Sequence, residues 1–117
     1  MKSVLYEKSK RFASRIVKMY AFLLKKGETV MSKQVLRSGT SIGANLAEAQ
    51  FASSHSDFAC KAAIALKECN ETGYWLELLH DNGYLKQSDF RSIDDDCREL
   101  LAMLVATVKT SRKNKDN

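Results

Sequence analysis

At 117 residues the chain is long enough for one domain and too short for two ordinary ones. With 44% hydrophobic and 28% charged residues, no proline and five glycines, it is neither a disordered adaptor nor a turn-rich β sandwich or barrel, and its length excludes a multidomain enzyme. The net charge of +5 is unevenly spread: residues 1–37 carry ten basic and two acidic side chains, residues 38–100 five and eleven, residues 101–117 four and one. Basic ends suit a polyanion partner, and they equally suit pairing with the acidic middle, within or between subunits.

The first helix is predicted over 3–26, with Ser3 as its cap and Gly27 as its stop. Phe12, Ile16, Met19, Tyr20, Leu23 and Leu24 recur at helical spacing. Lys8, Arg11, Arg15, Lys18 and Lys25 line another face, a single-sign stripe that repels itself. The second helix is predicted over 29–51, with Val35, Ile42, Leu46 and Ala49 as its apolar line. Its middle, Ser38 to Ala44, is rich in poor helix formers. The periodicity nevertheless carries through Gly39 and Gly43, so a continuous helix with a close neighbour is expected rather than a break.

The third helix is predicted over 54–82, opened by the capping-box-like run Ser54-His55-Ser56-Asp57 and closed at Asn82-Gly83. Ala59, Ala62, Ala63 and Ala65 make its first half small-faced and suited to tight packing on helix two. Phe58, Ala62, Leu66, Cys69 and Leu76 form the expected core line. Trp75 falls on the polar stripe with Lys61 and Glu68, and with Leu79 it makes an outward apolar patch expected to be a subunit contact. The fourth helix is predicted over 88–113. Its stripe is Phe90, Ile93, Cys97, Leu100, Leu101, Leu104 and Val108. Asp89, Asp94, Asp95 and Asp96 sit near its start and Lys109, Arg112 and Lys113 at its end, matching the helix dipole. Residues 114–117 are a polar tail.

Four such helices with short connections predict an all-α, antiparallel up-down-up-down bundle in a single domain over 1–113. In that topology the start of helix one lies beside the end of helix four. Lys8, Lys10 and Arg11 are then expected to join Lys109, Arg112 and Lys113 at one cationic end, with Arg15 and Lys18 extending the surface. Lys18 and Lys25 are expected near Asp94, Asp95 and Asp96.

Little catalytic chemistry is legible. Three cysteines, Cys60, Cys69 and Cys97, with no CxxC spacing, indicate neither a disulfide framework nor a zinc site. Free thiols, an N-terminus that turns charged too early for a signal peptide, and no long apolar stretch suggest a cytoplasmic protein without a membrane span. A di-iron bundle wants two Glu-x-x-His pairs; Glu77 and His80 form one, and there is no second. His55 at a helix start reads as a neighbour of the cap. No enzyme activity, metal or cofactor is expected. Along helix two, Arg37, Ser41, Asn45 and Glu48 follow i, i+4, i+8, i+11 as one polar stripe. It is read as an interface element that fixes helix register.

The run from Ser32 to Ala49, the later run from Ala65 to Thr72, Trp75-Leu76 and Gly83-Tyr84-Leu85 together resemble a small bacterial family, the 23S rRNA intervening-sequence proteins. The resemblance implies a left-handed antiparallel four-helix bundle assembled as a ring-shaped homopentamer. A related branch, the accessory proteins of diversity-generating retroelements, uses a basic pentamer to bind a reverse transcriptase and nucleic acid. The expected function is a non-enzymatic oligomeric scaffold binding RNA or DNA. The alternative is an adaptor for an acidic protein such as a reverse transcriptase, and a metal-dependent enzyme ranks last.

Overall fold

A computed structural model describes residues 3–115. Four helices follow in order: α1 (Val4–Lys25), α2 (Met31–Ala49), α3 (His55–Asp81) and α4 (Gln87–Lys115). Ser3 caps α1 by accepting from the Tyr6 N–H, and Ser54 caps α3 by accepting from Asp57. The Asp57 carboxylate reaches back and accepts from the N–H of Ser53, the residue before the cap, at 3.1 Å, a variant of the capping box with Asp in place of Glu. Gly27 and Gly83 end α1 and α3 with φ of +83°, a conformation that favours glycine.

Neighbour contacts join α1 to α2, α2 to α3, α3 to α4, and α4 back to α1. Across the last pair, Lys8 meets Glu99 and Arg15 meets Ser92. Numbers rise on one helix as they fall on the other, so α1 and α4 are antiparallel. The resulting rod measures 50 × 21 × 20 Å. Phe12, Ile16 and Leu23 of α1, Val35 and Ile42 of α2, Cys69, Leu76 and Leu79 of α3, and Leu100 and Leu104 of α4 are its buried centre. Each fully buried Phe, Ile, Leu or Val among them contributes about 1.5–3 kcal/mol.

The glycines of α2 do not break it; they let α1 approach. A Cβ at Gly39 would lie 2.9 Å from Ile16 Cγ1, and one at Gly43 3.2 Å from Ser9 Oγ. On its other side α2 locks onto α3 through buried hydroxyls, with Thr72 Oγ1 donating to Ser38 Oγ at 2.9 Å.

Two core assignments need correction. Leu24 is exposed, because Met19 and Leu23 already fill the inward side of that turn. Leu79 is fully buried rather than part of an outward patch. The inward line of α3 runs Cys69, Thr72, Leu76, Leu79, and the polar Thr72 hides that period from an apolar count.

Candidate nucleic-acid interface

The cations of α1 divide into paired and unpaired sets. Lys8 Nζ lies 2.9 Å from Glu99 Oε1, and Arg15 binds Asp96 at 2.6 Å while also donating to Ser92 Oγ. Lys18 and Lys25, expected near Asp94, Asp95 and Asp96, form no ion pair among the described residues. The α1–α4 register is the cause: it sets Arg15, not Lys18, opposite Asp96. Asp94 turns the other way and is held by Arg98 at 2.8 Å, and this bond raises the Arg98 pKa above its ordinary value. Lys8 and Arg15 therefore offer a polyanion less charge than the sequence suggested.

Lys10, Arg11, Lys18, Lys109, Arg112 and Lys113 are exposed and have no ion-pair partner among the described residues. Lys10 and Arg11 lie in the first half of α1 and Lys109, Arg112 and Lys113 near the end of α4, whereas Lys18 lies further along α1, beside Asp89 and Ser92 at the start of α4. Arg11 borders the groove beside Asp96 and Glu99. Lys109 lies about ten residues further along α4 than Glu99, roughly 15 Å of helix rise. The exposed cations are thus spread along α1 and over the end of α4. There His55 Nε2 donates to the Ser111 carbonyl at 2.9 Å and ties the start of α3 to the end of α4.

The α2 stripe finds its partners within the chain. Arg37 donates to Glu68 at 3.1 Å and to Glu71, and Glu48 lies 3.9 Å from Lys61. Ser41 and Asn45 bond back onto their own helix, to the carbonyls of Arg37 and Ser41. Trp75 is not on an outward face. It is half-buried against the core, with Nε1 donating to Glu71 Oε2 at 2.9 Å and the Tyr74 ring set edge-on to it at 5.1 Å. Glu71 therefore joins α2 to the indole. The physical reason is angular: Trp75 precedes Leu76 in the inward line and so sits at the rim of the core.

Glu77 lies 4.0 Å from Arg98, and His80 stacks on Phe90 with ring centroids 4.3 Å apart. Among the described residues no group of three or more His, Cys, Asp or Glu is placed to hold a metal, and no helix is long and apolar enough to cross a membrane.

One structural side chain escaped the sequence reading. Glu28, only 6% exposed, reaches forward to α2 and accepts from the backbone N–H groups of Val30, Met31 and Ser32 at 2.8–2.9 Å. Burial alone would raise its pKa, but these bonds outweigh it and hold the carboxyl below its ordinary value. The only signal was an acid between the Gly27 stop and the next helix.

Residues 1–106 match the 23S rRNA-intervening sequence protein family. Among solved structures, the chain is similar to a protein of unknown function from the S23 ribosomal protein family of Bacteroides thetaiotaomicron. The two are 51% identical with a TM-score of 0.89, over 91% of this chain and 99% of that one. A comparison with curated proteins finds no match. The chain belongs to the 23S rRNA-intervening sequence protein family.

Proposed function

We propose that the protein is a non-enzymatic homo-oligomer that binds RNA or DNA along the basic strip of α1 and α4. The observation that carries this reading is the exposed, unpaired set Lys10, Arg11, Lys18, Lys109, Arg112 and Lys113, left over after Lys8 and Arg15 are neutralised within the chain. Cations spread along two helices can follow a phosphate backbone, which presents one charge every 3.4 Å or so along a strand. Free thiols at Cys60, Cys69 and Cys97 accord with a cytoplasmic setting.

The pentamer implied by the family resemblance is part of this proposal. Val17 and Leu24, at 50% and 39% exposure, stand on the outer side of α1 and are candidates for subunit contact. Several copies of a modest strip would act multivalently. The same apolar side chains support a second reading, in which they and the basic strip dock an acidic protein without nucleic acid.

Titrating labelled RNA and DNA at several salt concentrations tests the first reading. The expected result is binding that weakens steeply as salt rises. Binding that is absent at low salt would overturn it. A protein partner retained after nuclease treatment would favour the second reading.

A further inference from the structure

We propose that Cys69 and Cys97 form an oxidisable dithiol site, which a hydroperoxide converts to a disulfide stapling α3 to α4. The two thiols face each other across the helix seam with Sγ atoms 4.0 Å apart. Each Sγ also points its hydrogen-bonding capacity at the other residue's carbonyl oxygen, at 3.4 and 3.6 Å. A disulfide bond is about 2 Å long, so the sulfurs need to close by roughly the same amount.

Cys69 is fully buried and Cys97 is 3% exposed, so an oxidant reaches the pair from the Cys97 side of the seam. A cleft of about 390 Å³ between α3 and α4 is lined by both cysteines and by Gly73, Tyr74, Asp94 and Arg98. A Cβ at Gly73 would stand 3.9 Å from Cys97 Sγ, so the absent side chain thins the cover over that sulfur. Asp94, Arg98 and Asn70 give the cleft a partly polar wall along which a small oxidant such as hydrogen peroxide can enter. No third ligand joins the pair in a metal-holding cluster among the described residues, which favours oxidation over metal capture.

The chemistry balances in two steps. One cysteine, as its thiolate, attacks hydrogen peroxide; the O–O bond breaks, a sulfenic acid forms and water leaves after proton transfer. The second thiol then attacks the sulfenic sulfur, the S–S bond forms and a second water departs. Two thiols lose two electrons, and the peroxide is reduced to two waters. The hydrogen bond with Cys69, together with burial, pushes the Cys97 thiol pKa up. The site therefore reacts slowly and needs excess peroxide rather than a trace.

The test is to oxidise the full-length protein with hydrogen peroxide, block remaining thiols with iodoacetamide, and map linked peptides by mass spectrometry. A parallel sample is oxidised in guanidinium chloride. In the unfolded chain Cys60 and Cys69 enclose a 9-residue separation against 28 for Cys69 and Cys97, so loop closure favours the shorter link by about fivefold. The folded protein is expected to reverse that preference, giving Cys69–Cys97 with a loss of two hydrogens. Its melting temperature should rise by roughly 5–15 °C and return on reduction. A Cys60→Ser variant should form the same link. The same linkage distribution in folded and unfolded samples would overturn the proposal. So would folded protein that yields only sulfinic or sulfonic acids, or no oxidation.

Discussion

Glu28 shows how much one carboxylate can organise. Val30 occupies the N-cap position of α2 and has no side-chain cap of its own, so the donors of the first turn depend on the Glu28 oxygens. Replacing Glu28 with Gln should destabilise the protein by about 1–2 kcal/mol at neutral pH. The sign of the pH effect follows from the depressed folded pKa. The stabilisation is present above the ordinary value of 4.5 and is lost as pH falls through the lower folded value. Urea unfolding of wild type and Glu28→Gln should therefore differ most near pH 7 and converge in acid. A constant difference across that range would remove the charge from the explanation. Gly39 offers a second residue-level contest. Alanine there gains about 1 kcal/mol of helix propensity, but its Cβ meets the fully buried Ile16 at 2.9 Å, and overpacking of this kind costs about 1–3 kcal/mol. Gly39→Ala should be net destabilising in a thermal melt. Gly43→Ala, facing a hydroxyl at 3.2 Å, should be milder.

At the scale of elements, α2 and α3 are registered by a polar relay on the surface and a hydroxyl pair beneath it. Arg37 is about half exposed, so its ion pairs are individually weak, and Arg37→Ala should cost only about 0.5–1 kcal/mol, less at high salt. Glu71 serves both Arg37 and the Trp75 indole. Glu71→Ala should cost more, about 1–2 kcal/mol, and should alter tryptophan fluorescence in the folded state. Equal costs for the two variants, with unchanged fluorescence, would argue against the relay. The helices themselves were legible, every boundary lying within two residues of the expected one, because capping serines, stop glycines and the 3.6-residue period are local signals. The stripe Arg37, Ser41, Asn45, Glu48 was legible as a stripe, while its partners were not, since pairing with Glu68, Glu71 and Lys61 depends on the relative rotation of two helices. Trp75 was placed outward for the same reason: Thr72 broke the apolar period, and burial by a neighbouring helix leaves no mark at the position it covers.

For the whole molecule, the order of the helices was written in the short connections, and the register between α1 and α4 was not. That register separates the cations of α1 into neutralised and free sets. It also gives the account its discriminating pair of variants. Lys8 and Arg15 are engaged with Glu99 and Asp96, whereas Lys109 and Arg112 are exposed and unpaired among the described residues. A native mass at five times the 13.2 kDa chain is the expected assembly, and a monomer in solution would contradict the subunit contacts assigned to α1. The most direct measurement is RNA affinity at fixed low salt for wild type, Lys109→Glu/Arg112→Glu and Lys8→Gln/Arg15→Gln. Loss of binding in the first double variant, a small change in the second and native helicity in both are predicted; the reverse ranking, or equal affinities throughout, would contradict the strip.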